Sequence, residues 1–122
     1  MAHKILVVDD DPVDIRLVQS VLSSYGFNVI TAVNGAEALE MIRKESPKLV
    51  VLDVMMPEVN GYDVCYEFRF NDEFIKIPIV LMTLREQEID EEIGQRMLLE
   101  YVPKPVDSRL LIDKIEGLLS KK

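Results

Sequence analysis

The sequence has one cysteine and no long apolar segment, and each absence excludes a class of protein. A lone Cys65 cannot form an internal disulfide, which fits a reducing compartment. No apolar run approaches the roughly 20 residues of a membrane span. The first four residues, Met1–Lys4, lack the apolar stretch of a signal peptide. We therefore expect a cytoplasmic protein that does not insert into membranes.

The chain is also poor in positive charge and has no linker-like composition. Its 14 Lys and Arg residues stand against 22 Asp and Glu residues, which gives a formal net charge of −8. Such a surface repels the phosphates of nucleic acids, so we expect no direct binding to DNA or RNA. No segment rich in Pro, Gly or Ser divides the 122 residues. The length therefore predicts a single domain over residues 1–122, with no output domain visible.

Two continuous aliphatic runs predict the central strands of a parallel sheet. The runs Lys4–Val8 and Leu49–Leu52 carry apolar residues on both faces, with Lys4 as the one polar residue, as is typical of strands covered by helices on both sides. Shorter apolar runs predict three further strands, at 28–32, 78–83 and 101–103. Apolar residues at helical spacing predict five helices, centred within 12–25, 34–46, 64–68, 86–98 and 108–120. Alternating strands and helices predict a doubly wound α/β fold with the flavodoxin-like strand order 2-1-3-4-5.

Local signals indicate how the first two helices begin. Asp11 followed by Pro12 matches an N-cap acceptor and a first helical residue, so we interpret Asp11 as a helix cap rather than a ligand. Asn34 and Glu37 have the spacing of a capping box. In the first helix we expect one apolar stripe to face the core, formed by Val13, Leu17, Val18, Val21 and Leu22.

Polar residues follow the predicted strands at the edge of the sheet where open α/β folds bind ligands. They are Asp9, Asp10 and Asp11 after the first strand, Asp53 after the third, Thr83 after the fourth and Lys104 after the fifth. Two carboxylates ~4 Å apart repel by ~4 kcal/mol at an effective dielectric constant near 20, so this cluster needs a cation. Oxygen ligands suit Mg²⁺, with Mn²⁺ as a second candidate. A carboxylate, a divalent ion, a hydroxyl and a lysine are together the groups that phosphoryl transfer requires.

With these residues, the whole chain resembles a response-regulator receiver domain of the CheY type. The matching residues are Asp9-Asp10, Asp53, Met56-Pro57, Gly61, Thr83, Tyr101 and Lys104-Pro105. The resemblance implies a phosphoacceptor in a two-component system or phosphorelay. Asp53 would receive the phosphoryl group from a phosphohistidine of a sensor histidine kinase or phosphotransfer protein. The chain would then be a switch with self-catalysed phosphorylation and dephosphorylation, not a substrate-turnover enzyme.

The resemblance also implies roles for the other residues at this edge. Asp10, Asp53 and the backbone carbonyl of Met55 would ligate Mg²⁺, and Asp9 would help through a water molecule. The side chains of Thr83 and Lys104 would bind phosphoryl oxygens. Movement of Thr83 would let Tyr101 change rotamer. That change would alter the face of the fourth helix, fifth strand and fifth helix, where an unidentified downstream protein would bind.

One departure from the family pattern and two alternative functions stay open at this point. Leu84 stands where the family usually has a small residue, which predicts hindered access to Asp53 and slow turnover of the phosphate. Asp9–Val13 also fits the Asp-x-Asp-x-(Thr/Val) motif of haloacid-dehalogenase-like phosphatases, with Asp9 as nucleophile. That alternative leaves Asp53 unexplained, and no acidic pair follows Lys104. The other alternative is a degenerate receiver that acts only as a docking module.

Overall fold

The computed structural model describes residues 3–53, 77–83, 99–103 and 106–120. The described elements are β1 (Lys4–Val8), α1 (Pro12–Ser24), β2 (Asn28–Ala32), α2 (Gly35–Glu45), β3 (Leu49–Asp53), β4 (Ile79–Thr83), β5 (Leu99–Pro103) and a C-terminal helix (Ser108–Ser120). All five predicted strands and the first, second and last predicted helices are confirmed, although β5 begins at Leu99, two residues before its predicted start. The third and fourth predicted helices lie outside the described residues. No helix in the described ranges is long and apolar enough to cross a bilayer.

The five strands form one parallel sheet in the order β2-β1-β3-β4-β5, as predicted. β1 lies between β2 and β3, and its last residue, Val8, pairs with Ala32 on one side and Leu52 on the other. The residues that follow Val8 and Leu52 are Asp9 and Asp53. The register of β1 with β3 therefore places these two aspartates side by side at the carboxyl edge of the sheet.

The central strands are buried on both faces because successive side chains of a strand point to opposite sides. Leu6 and Val8 enter a core that contains Ala38 and Ile42 of α2. The alternate residues of β1 enter the opposite core, which contains residues of α1 and the C-terminal helix. β5 is the edge strand beyond β4, where Pro103 lies opposite Thr83. A proline is tolerated there because an edge strand has a free side that needs no amide donor.

The helix boundaries follow the predicted capping signals. Asp11 is the N-cap of α1, with its side chain accepting a hydrogen bond from the amide of Val13 at 2.9 Å. Asn34 is the N-cap of α2, with its Oδ1 accepting from the amide of Glu37 at 2.8 Å. α2 ends at Glu45, and the next residue, Ser46, is its C-cap and adopts the left-handed conformation with φ of 47°. These contacts confirm the predicted helix starts.

The predicted core stripe of α1 is wrong for two of its residues. Val18 and Leu22 are buried, but Val13 is 70% exposed and Leu17 is 54% exposed. A helix rotates by about 100° per residue, so Leu17 lies about 100° and Val13 about 140° around the helix axis from Val18. The contact with the sheet covers a narrower arc than the run of apolar residues spans. Val13 and Leu17 therefore face solvent.

Candidate metal centre

Three carboxylates meet at the carboxyl edge of the sheet. Asp9, Asp10 and Asp53 each offer an oxygen atom, and these three atoms lie within 4.8 Å of one another. Asp9 is fully buried and Asp53 is 2% exposed, whereas Asp10 is exposed. The cluster thus has two carboxylates shielded from water and a third at the surface, where an ion or a substrate can enter.

The orientation of Asp9 is fixed by hydrogen bonds to its main chain and to its side chain. Its amide donates to the carbonyl oxygen of Ala32 at 3.2 Å, which continues the pairing of β1 with β2 by one residue. Its Oδ1 accepts a hydrogen bond from the amide of Asp11 at 3.0 Å. The contribution of Ala32 was not predicted, because it comes from a backbone carbonyl that any residue type supplies.

Charge repulsion between the two buried aspartates favours a cation at this position. Oxygens of Asp9 and Asp53 lie no more than 4.8 Å apart. At an effective dielectric constant near 20, Coulomb's law gives a repulsion of ~3.5 kcal/mol for unit charges at that separation. A divalent ion between the carboxylates replaces this repulsion with attraction.

The donor set fits Mg²⁺. The ligand atoms are all carboxylate oxygens, the type that Mg²⁺ and Mn²⁺ prefer. Mg–O distances of about 2.0–2.1 Å place two direct ligands no more than about 4.2 Å apart, and Mg²⁺ commonly keeps several waters. An upper limit of 4.8 Å between oxygens suits direct ligation by part of the cluster and contact through water for the rest. Asp11 does not belong to this group, in agreement with its predicted role as a helix cap.

The other predicted site residues are placed by the backbone only, or lie outside the described residues. Asp53 pairs with Met82 of β4, so the next residue, Thr83, is at the same edge of the sheet. Tyr101 pairs with Leu81 in the middle of β5. The proposed roles of the Thr83 and Tyr101 side chains stay predictions. Met55, Leu84 and Lys104 lie outside the described residues.

Comparison with known proteins identifies relatives along almost the full chain. Residues 5–116 match the family model of the response regulator receiver domain. Protein PilH of Pseudomonas aeruginosa is 32% identical over 118 residues, which cover 96% of this chain and 98% of PilH. Probable transcriptional regulator ycf27 of Porphyra purpurea is 42% identical over 120 residues, which cover 98% of this chain and 48% of that protein. The chain thus spans about half the length of ycf27 and nearly all of PilH.

The structural comparison agrees in fold. The chemotaxis response regulator CheY4 of Vibrio cholerae superposes on this chain with a TM-score of 0.85 at 24% sequence identity. The superposition covers 97% of this chain and 99% of CheY4. The parallel sheet in the order 2-1-3-4-5 is therefore the architecture of CheY-like proteins, as the sequence predicted.

Proposed function

This chain belongs to the response regulator receiver domain family of two-component signalling proteins, and we propose that Asp53 is its phosphoacceptor in a Mg²⁺-dependent reaction. The observation that carries the proposal is the position of Asp53 at the end of β3. Asp53 is 2% exposed, and a carboxylate oxygen of it lies within 4.8 Å of oxygens from Asp9 and Asp10. A buried carboxylate held beside two others is suited to share a cation with an incoming phosphoryl group.

In the proposed reaction a carboxylate oxygen of Asp53 attacks phosphorus. The bond between phosphorus and the histidine nitrogen of a kinase or phosphotransfer protein breaks, and that nitrogen keeps the electron pair. When bound, Mg²⁺ supplies positive charge to the phosphoryl oxygens. Asp10, Asp53 and the backbone carbonyl of Met55 would hold the ion, with Asp9 acting through water. The hydroxyl of Thr83 and the ammonium group of Lys104 would bind the transferred phosphoryl group.

Phosphorylation places a new dianion at the edge of the sheet. A phosphoryl group attracts hydrogen-bond donors and cations, which changes the balance between two conformations of a nearby loop. We propose that Thr83 and Lys104 respond in this way and that Tyr101 changes rotamer. The altered surface would comprise the predicted fourth helix, β5 and the C-terminal helix, where a downstream protein would bind. We further propose that residues 1–122 act as one cytoplasmic receiver domain, without contacting nucleic acid.

Incubation with acetyl phosphate tests this assignment. Wild-type protein in Mg²⁺ should gain one phosphoryl group by intact mass, and peptide mapping should place it on Asp53. Asp53→Asn and wild-type protein in EDTA should gain none. Asp113→Asn is a matched control, because Asp113 is an exposed residue of the C-terminal helix that loses the same charge. It should be phosphorylated like the wild type.

Other outcomes would support the alternative functions. A label on Asp9, or steady phosphate release that persists in Asp53→Asn, would favour a haloacid-dehalogenase-like phosphatase. Absence of both the adduct and Mg²⁺ binding would favour a docking module. If Mg²⁺ binds without an adduct, Leu84→Ala tests whether the side chain of Leu84 blocks access, since the smaller residue should then allow phosphorylation.

A further inference from the structure

We propose that Asp11 is a positioning residue for the carboxylate cluster. It would act through its main-chain amide, which donates a hydrogen bond to the side chain of Asp9. The inference rests on the proposed Mg²⁺-dependent function and assigns a role within it. Asp11 would not ligate the ion. It would hold the buried carboxylate of Asp9 in the orientation that the ion needs, and it would do so because it caps α1.

Hydrogen bonds tie the main chain of Asp11 to α1 and to Asp9. Its amide donates to Oδ1 of Asp9 at 3.0 Å. Its own Oδ1 accepts from the amide of Val13 at 2.9 Å, and its carbonyl accepts from the amide of Ile15 at 3.0 Å. Pro12 follows at the first helical position, where its ring fixes its own φ and restricts the backbone of Asp11, the residue before it, to the extended region. The cap therefore fixes the direction in which the Asp11 amide points.

The hydrogen bond from the Asp11 amide matters because the carboxylate that accepts it is buried. Asp9 is fully buried, so water does not readily replace a lost donor to its carboxylate. A hydrogen bond from an amide to an ionised carboxylate is stronger than one between neutral groups and fixes the orientation of the carboxylate. The amide of Asp9 is held separately by the carbonyl of Ala32. Loss of the Asp11 cap should therefore loosen the carboxylate of Asp9 while β1 keeps its place in the sheet.

Substitutions at Asp11 separate capping from charge. Asparagine is as good an N-cap as aspartate but carries no charge, whereas alanine is a poor N-cap. Asp11 itself is exposed, and salt screens the effect of exposed charges on one another. We therefore expect Asp11→Asn to keep the position of Asp9, and Asp11→Ala to lose it.

The start of α2 offers a matched control for the general cost of losing a cap. Asn34 caps α2 as Asp11 caps α1. Its Oδ1 accepts a hydrogen bond from the amide of Glu37 at 2.8 Å. Asn34 also follows a strand at the same edge of the sheet, but no hydrogen bond described for it reaches Asp9, Asp10 or Asp53. Asn34→Ala should destabilise the protein about as much as Asp11→Ala and leave the carboxylate cluster unchanged.

The test is a calorimetric titration of Mg²⁺ into each metal-free variant, which measures the Kd. Urea unfolding of each variant in EDTA measures its stability separately. We expect Asp11→Ala to raise the Kd for Mg²⁺ by about fivefold, the scale of losing a typical cap. Asp11→Asn and Asn34→Ala should stay within about twofold of the wild type. Hydrogen exchange in EDTA should show a less protected amide at position 11 in Asp11→Ala than in Asp11→Asn.

Three results would overturn the inference while leaving the proposed function intact. In the first, Asp11→Ala binds Mg²⁺ as tightly as the wild type. In the second, Asp11→Asn loses as much Mg²⁺ affinity as Asp11→Ala does. In the third, Asn34→Ala loses as much Mg²⁺ affinity as Asp11→Ala does. The first result would show that the cap is not coupled to the cluster. The second would assign the effect to charge, and the third to general destabilisation. Failure of the wild-type protein itself to bind Mg²⁺ would overturn the proposed function together with the inference.

Discussion

Replacement of Asp53 by asparagine should stabilise the metal-free protein, because it removes one of two buried negative charges. Asp53 and Asp9 offer oxygens within 4.8 Å of each other, and both residues are almost completely buried. At an effective dielectric constant near 20, relief of their repulsion contributes ~3.5 kcal/mol. The asparagine amide makes weaker hydrogen bonds than a carboxylate, which offsets roughly 1–2 kcal/mol of this gain. We expect a net increase of about 2 kcal/mol in the free energy of unfolding.

The same substitution should remove most of the stabilisation by Mg²⁺. A ligand present at 100 times its Kd stabilises the native state by about 2.7 kcal/mol. We expect this increment in the wild type and less than about 1 kcal/mol in Asp53→Asn at the same Mg²⁺ concentration. Mg²⁺ should therefore narrow or reverse the difference in stability between the two proteins.

Urea unfolding followed by far-ultraviolet circular dichroism measures both effects, since the chain has no tryptophan. Each protein is unfolded in EDTA and in excess Mg²⁺. In thermal unfolding, an entropy of about 2.1 cal/mol/K per residue converts 2 kcal/mol into a rise in Tm of about 8 °C for a chain of this size. Asp113→Asn is the control for loss of an exposed charge. A metal-free Asp53→Asn protein less stable than the wild type would refute the repulsion argument, and undiminished stabilisation by Mg²⁺ would refute ligation by Asp53.

Three further single substitutions and one double-mutant cycle test the fold. Ser46→Gly should raise the free energy of unfolding by about 0.5–1 kcal/mol, because Ser46 is in the left-handed conformation and glycine adopts it without steric cost. A lower stability of this variant in urea unfolding would contradict the prediction. Leu52→Ala should lower the free energy of unfolding by about 2–5 kcal/mol because Leu52 is fully buried. Leu17→Ala, on the exposed side of α1, should change that free energy by no more than about 0.5 kcal/mol. Similar losses of stability in the two variants would contradict the assigned orientation of α1. The ion pair between Lys114 and Glu100, 3.0 Å apart and partly exposed, should show a coupling energy below about 1 kcal/mol in a double-mutant cycle. That coupling should fall in high salt, and a salt-independent value would contradict a screened surface pair.

Local sequence was sufficient to predict the five strands and the first, second and last helices. Continuous aliphatic runs identified β1 and β3, because strands covered on both faces need apolar residues at every position. Asp11 with Pro12 and Asn34 with Glu37 identified the helix starts, because capping depends on residues only a few positions apart. The carboxyl ends of parallel strands share one edge, so the sequence also indicated that Asp9, Asp10 and Asp53 would lie near one another.

Tertiary structure decided what depends on contacts between distant segments. The pairing of Val8 with Leu52 sets Asp9 beside Asp53, and only the packed sheet shows that Asp9 is buried while Asp10 is exposed. The rotation of α1 likewise depends on the sheet it packs against, which is why apolar Leu17 faces solvent although helical spacing alone allowed it in the core. Strand register and helix rotation are set by the burial of surfaces far apart in the chain, and residue type and spacing within one segment do not specify them.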